Sequence, residues 1–430
     1  MIDRYTRKEM KNIWAEDTKY KFWLDIELAV CEAWAEEGVI PLSDIEKLKK
    51  AKLEKKNITE AFNTTKHDMT AFLLAAGKNL GDESRWLHLG LTSSDVMDTA
   101  FSLQIVSAID LIHKDLEKII EVLGQKALEY KDTPIIGRTH GIHAEPTTFG
   151  LKLLIWHEEM QRNLRRLNLA KKDIQVGKIS GAVGTHATIP PSIEDKVCKK
   201  LSLEVAKVSS QILQRDRHAA CLSVLGVIAS SLEKFATELR SLQRTDIGEV
   251  EEHFGEGQTG SSSMPHKKNP ELSERICGLA RVIRANVIPG LENVALWHER
   301  DISHSSVERI IFPDSFIALD YILNIFLTVI TELKVNKENM LNNMEKTKGL
   351  IYSQRLLLQL VEKGLSRQKA YSIVQQNALK SLNNKLNFKD LILKDKQVSQ
   401  VISAEELDDI FDYSYYYRYV DHSFKRVGLL

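Results

Sequence analysis

The sequence predicts an all-α protein, and three observations carry the prediction. Only nine of its 430 residues are proline, and the stretches 42–133, 192–264 and 314–430 contain none. Proline lacks the backbone N–H and clashes with the carbonyl four residues back, so its absence leaves those stretches free to be helical. They are also rich in Leu, Ala, Glu, Lys and Gln, the strong helix formers. Runs of β-branched residues bounded by turn residues, which would mark strands, are few.

A first helical domain is placed at 1–91. A long central bundle follows at 92–340, and a last small helical domain occupies 341–430. The bundle's first rod is the most legible. Thr92, Ser93, Ser94 and Asp95 supply N-cap candidates. Val96, Ala100, Leu103, Ile109, Ile112, Leu116, Ile119, Leu123 and Ala127 then recur at steps suited to one buried helical face, and Pro134 ends the run. A second rod is expected after Pro146, a third from Arg217 to Thr245, and a fourth from Ser315 to Leu333. Rods with such wide apolar faces pack as a bundle, and they present more apolar surface than one chain needs, so an oligomer is expected.

Composition excludes several classes. Fifty-nine basic and fifty-nine acidic residues cancel, so no charge excess draws the chain to nucleic acid or an anionic membrane. Cys31, Cys198, Cys221 and Cys277 are far apart and form no Cys-x-x-Cys pair, which speaks against a disulfide framework or structural zinc. The N-terminal stretch is polar and does not resemble a secretory signal. The uncharged run from Ala219 to Leu232 is too short and too polar for a membrane span and reads as a buried helix. The expected compartment is the cytosol.

Four polar segments interrupt the helical pattern: "TKHDMTAF" around His67, "HLGLTSSD" around Ser93, "IIGRTHGIHAEPTT" around His140, and "TGSSSMPHKKNPELSE" from Thr259 to Glu274. One such segment is usually a connection; four suggest a shared site. The preceding "GEGQTG" imitates a dinucleotide fingerprint, but no helix can start within it, so flexible glycines are the better reading. His140, His143 and His157 lack a further ligand at metal spacing, so neither a metal nor a cofactor is expected. Histidine suits acid–base work near neutrality, and a loop serine flanked by N–H groups can serve as a base if its alkoxide is stabilised. Lysine and asparagine suit anionic oxygen. The inventory fits β-elimination beside a carboxylate, and on chemistry alone it also fits hydrolysis.

The loop "GSSSMPHKKNPELSE", together with "TSSD" and "GRTHGIHAEPTTFG", resembles the three shared regions of the fumarase/aspartase superfamily. "RYTRKEMKNIW", "KHDMTAF", "QRDRHA" and "LWHERDISHSSVERI" resemble the bacterial branch that cleaves adenylosuccinate to AMP and fumarate. In that branch the same site also cleaves the succinyl-carboxamide ribotide of the purine pathway. The resemblance implies three helical domains, a twenty-helix core in a homotetramer, and active sites where three subunits meet. It implies Ser261 as the base, although physical reasoning does not choose between Ser261 and Ser262. Lys267, Asn269 and loop N–H groups would hold the dianionic aci-carboxylate. His140 would protonate the departing nitrogen, with Glu274 orienting its imidazole. His67, Asp68, Thr92, Ser93 and Gln211 would position substrate, with His88 a further contributor. Arg4, Tyr5, Arg300, Ser305 and Arg309 would hold the phosphate and a succinyl carboxylate. A sister lyase acting on argininosuccinate shares the loop but should lack the nucleotide-facing segments. A catalytically silent structural homologue is weighed against by the intact set His67, His140, Ser261 and Lys267.

Overall fold

A computed structural model describes every residue except Glu256, Gln258 and Thr259. Helices dominate. Those that position the site are α1 (Glu16–Glu36), α2 (Asp68–Gly77), α3 (Ser93–Glu129), α4 (Phe149–Ile174), α5 (Asp216–Leu242), α6 (Glu271–Ala285) and α7 (Ser303–Thr331). The strands among the described residues form short pairs, of which the hairpin β1 (Pro134–Thr139) and β2 (Ile142–Thr148) is the longest.

α3 runs for 37 residues, about 55 Å at the usual rise. Its expected stripe is fully buried at every position but Leu103, which is half-buried. At its start the Thr92 N–H donates to Asp95 Oδ2 at 2.8 Å, one half of a capping box. α4 and α5 lie close to their expected positions. α7 corrects an expectation: it begins at Ser303, twelve residues before Ser315, and carries Pro313 within it. Pro313 has no N–H to give the Arg309 carbonyl. The fully buried Phe312 and Phe316 on either side hold the helix together across this gap.

α3, α5 and α7 are each long and apolar enough, by length and composition, to cross a membrane, which for α5 differs from the expectation for Ala219–Leu232. More than half of each apolar window is buried within the protein itself (56%, 61% and 67%).

The chain forms two compact units, and each of the five boundaries between them falls inside a helix. The first unit comprises Met1–Lys118, Met160–Lys234 and Arg275–Phe326. In its core the rings of Trp23 on α1 and Phe72 on α2 meet edge to face at 5.4 Å, in one apolar cluster with Val96, Ile179 and Ile193. The second unit comprises Ile119–Glu159, Phe235–Glu274 and Leu327–Leu430. Its C-terminal helices close over Leu356, Leu360, Phe388 and Ile392, and the hairpin is seated by Ile136 against Met344, Ile351 and Tyr352.

Candidate active site

In the first unit, the start of α2 presents two of the expected residues. His67 caps the helix, its Nδ1 accepting from the Thr70 N–H at 3.2 Å. Asp68 follows, and its carboxylate accepts from Arg309 on α7 at 2.6 Å. His88 stands in left-handed backbone (φ 66°). The fully buried Glu27 carboxylate accepts from its backbone N–H and meets its Nδ1, each at 2.7 Å. Thr92 and Ser93 sit half-buried at the start of α3. Beneath them Asp95 is fully buried and paired with the equally buried Lys178 at 2.5 Å. Asp95 also accepts from the N–H groups of Ser180 and Gly181.

Arg300, Ser305 and Arg309 line a cavity of about 300 Å3 together with Trp14, Lys19 and Phe101. Gln211 joins them through a 3.2 Å bond from Arg300 Nη1. The same cavity is lined by a buried ionic cluster that sequence reasoning did not assign. Arg215 donates to both oxygens of Asp98, at 2.6 and 3.0 Å, and its Nε lies 2.9 Å from Glu308 Oε1. Burial pushes the Asp98 carboxyl up, but the Arg215 guanidinium outweighs it and holds the group down at about 2. His218 is buried beside this cluster, and burial, then Arg215, depress its imidazole to about 4, so it is neutral near pH 7. Lys19 is also lowered, chiefly by burial. Arg4 and Tyr5 form a short turn at the N-terminus; Arg4 lies over the Tyr5 ring at 5.8 Å, and that ring packs on Tyr321.

The second unit holds the expected chemical groups. His140 occupies the turn between β1 and β2 at φ 55°, with Gly141 at φ 78°, the pair of positive φ angles that a tight two-residue hairpin requires. The turn is exposed, while the strand just beside it is pinned by a bidentate pair from Arg138 to the buried Glu249 at 2.9 and 2.7 Å. In the signature loop, Ser261 Oγ accepts from the N–H of Met264 at 3.2 Å and more loosely from that of Ser263. Ser262 is exposed. Asn269 Nδ2 donates to the Gly260 carbonyl at 2.9 Å, which draws the neck of the loop shut. A Cβ on Gly260 would lie 2.3 Å from the Lys267 carbonyl oxygen, so the neck admits only glycine. Of "GEGQTG", three residues lie outside the described ones.

The loop's far end is fixed where the buried Glu252 accepts from Ser273 and Leu272 at the start of α6. Lys267, Asn269 and Glu274 line a second, larger cavity of about 1280 Å3 with Arg240, Arg244 and Lys337. Here the expected partnership differs within one chain. The Glu274 carboxylate faces Arg240 at 3.9 Å, and among the described residues it makes no hydrogen bond to His140. The reason is geometric: His140 is at a hairpin tip and Glu274 in the first turn of α6, with no backbone element tying one to the other. Among the described residues no group of three or more His, Cys, Asp or Glu side chains gathers at metal-ligand distance.

Residues 3–285 match the family described as lyase, and residues 349–427 match the adenylosuccinate lyase C-terminus. The chain is 51% identical over 430 residues to an adenylosuccinate lyase of Bacillus subtilis (strain 168), covering 100% of both sequences. Among solved structures it is similar to the 3-carboxy-cis,cis-muconate lactonizing enzyme of Pseudomonas putida, with TM-score 0.91, 29% identity, and 98% and 96% of the two chains covered. A fumarate lyase from Mesorhizobium sp. BNC1 shares the fold at TM-score 0.91 and 24% identity, with 99% of each chain covered.

Proposed function

This chain belongs to the adenylosuccinate lyases of the lyase family, and from that premise we propose the reaction and the residues that perform it. The enzyme is a carbon–nitrogen lyase that eliminates fumarate from adenylosuccinate, leaving AMP. It performs the same elimination on succinyl-aminoimidazole-carboxamide ribotide, leaving the carboxamide ribotide. The observation that carries this reading is a full-length relative at 51% identity.

Ser261 removes a proton from the succinyl β-carbon. Support comes from the Met264 and Ser263 N–H groups, which point at Ser261 Oγ and stabilise it as an alkoxide. The carbanion's charge spreads into the adjacent carboxylate as an aci-dianion, and Lys267 and Asn269 hold it. His140 then protonates the nitrogen as the C–N bond breaks, which restores the purine amine and releases fumarate. Glu274 acts as the carboxylate partner of His140 in the assembled enzyme. His67, Asp68, His88, Thr92, Ser93 and Gln211 position the substrate, and Arg4, Tyr5, Arg300, Ser305 and Arg309 take its phosphate and a succinyl carboxylate.

The assembly is a homotetramer with sites shared between subunits. Ile155 and Leu169 on α4, Val227 on α5, Val282 on α6 and Ile310 on α7 are exposed in the single chain, and such a core would cover them. We retain the three-domain reading, 1–91, 92–340 and 341–430, as the organisation of each subunit. The compartment is the cytosol, whose reducing conditions suit four cysteines buried as thiols.

The test is an absorbance assay on purified protein with adenylosuccinate, the succinyl-carboxamide ribotide and argininosuccinate in parallel. Turnover of both purine substrates and none of argininosuccinate is expected. Cleavage of argininosuccinate alone would overturn the choice of substrate, and inactivity on all three would favour the silent homologue.

A further inference from the structure

We propose that His304 and Glu308 are positioning residues that aim Arg300 at the substrate's anion, an inference that rests on the reading of Arg300 as a substrate ligand. His304 and Glu308 lie four residues apart on α7, and Arg300 stands in the non-helical segment four residues before His304. Ser305 and Arg309, one residue further on from His304 and Glu308, line the same cavity. Arg300 Nε donates to His304 Nε2 at 3.2 Å, and its Nη1 donates to Gln211 at 3.2 Å. Among the described residues nothing else bonds to this guanidinium, so its Nη2 edge stays available for an oxyanion.

The hydrogen-bond pattern selects one state of His304. Its Nε2 can accept from Arg300 only if that nitrogen carries no proton. The ring proton then sits on Nδ1, 2.8 Å from Glu308 Oε2, where it has an acceptor. The other tautomer would set Nε2–H against Arg300 Nε–H and an Nδ1 lone pair against the carboxylate. Arg215 Nη2 also lies 3.2 Å from Nδ1, but Asp98 and Glu308 accept its protons.

Glu308 is fixed in turn by Arg215, and Arg215 by both oxygens of Asp98, itself held by the Leu213 N–H at 2.8 Å. His304, Arg215, Asp98 and Glu308 are all buried. The result is a rigid relay, Asp98–Arg215–Glu308–His304–Arg300, that starts on α3 and ends at the cavity. An arginine side chain loses substantial rotamer freedom when it binds a ligand. A relay that fixes it beforehand removes that loss from the binding step.

The experiment compares His304→Ala, His304→Gln, His304→Asn, Arg300→Met and the double variant Arg300→Met/His304→Ala in the full-length enzyme. KM and kcat for adenylosuccinate and the inhibition constant of AMP are measured, with a thermal melt to confirm folding. His304→Ala should raise KM and the AMP constant by about tenfold to a hundredfold, the range for a lost bond to a charged group, and change kcat by much less. Gln places an acceptor where Nε2 stood and should recover most of the affinity. Asn replaces only the Nδ1 side and should not. In the Arg300→Met background, removing His304 should cost nothing further. An additive loss in the double variant, or equal defects in the Gln and Asn variants, would overturn the relay. If the alanine variant fails to fold, the Gln and Asn pair decides by itself. Wild-type protein that turns over none of the purine substrate would instead overturn the functional reading and the relay with it, and the wild-type arm reports this before any variant is compared.

Discussion

Lys178→Met tests the buried ion pair beneath the start of α3. Methionine keeps most of the aliphatic stem and removes the ammonium. The structure then loses the pair with Asp95 and the 2.9 Å bond to the Gly181 carbonyl. Asp95 is left fully buried without its cation, accepting from the N–H groups of Thr92, Ser180 and Gly181 at 2.8, 3.1 and 3.2 Å. Breaking a buried pair by removing one partner costs about 3–5 kcal/mol, and those three N–H groups favour the lower end. Unfolding entropy near about 2.1 cal/mol/K per residue gives roughly 0.9 kcal/mol/K for this length, so the melting temperature should fall by about 3–5 °C. Differential scanning calorimetry measures this directly. Lys56→Met is the control: its ammonium meets Glu60 at 3.9 Å on the surface. An exposed pair is worth at most about 1 kcal/mol, so the control should shift by about 1 °C or less. If the Lys178 variant melted within the control's range, the reasoning from burial would be refuted. Because Asp95 also holds the Thr92 N–H, KM should rise in the same variant.

Three further outcomes are expected. Ser261→Ala and His140→Ala should each lower kcat by about 10²–10⁴-fold without disturbing the oligomer, and mixing the two inactive proteins should restore part of the activity if sites combine subunits. Burial, opposed by Arg7, raises the Asp320 carboxyl from 3.8 to about 7. A carboxyl raised on folding contributes stability that is complete below its unfolded value and lost as pH rises towards 7. Melting curves from pH 5 to 8 should therefore show Asp320→Asn gaining on wild type as pH increases, and a flat difference would contradict this. A Cβ at Gly150 would lie 2.4 Å from the Ala127 carbonyl oxygen and 2.5 Å from Lys131 Cα, so Gly150→Ala should lower stability by about 1–3 kcal/mol or more in urea unfolding.

Much of the candidate site was legible in residue types. A loop of small, polar and basic residues that cannot be helical announced Ser261, Lys267 and Asn269. Ser261 and Ser262 look alike in the sequence, and only the fold of the loop makes them differ: Ser261 Oγ accepts the Met264 N–H while Ser262 is exposed. The buried cluster around Arg215 was not readable from the sequence. Its partners are 117 and 93 residues apart, and a charged residue in a helix looks the same in sequence whether it faces water or a buried carboxylate.

The sequence by itself determined the helical class, the buried stripe of α3 and the non-helical character of the loop at 259–274. Those properties depend on neighbours within a turn or two, where spacing and backbone restriction act locally. Only the tertiary structure decided that α7 runs through Pro313, that His140 stands at the tip of a hairpin pinned by Arg138 and Glu249, and that His304 backs Arg300. These depend on the register in which distant helices pack. Burial there offsets a missing backbone bond and makes isolated charges find partners, and no local pattern records that register.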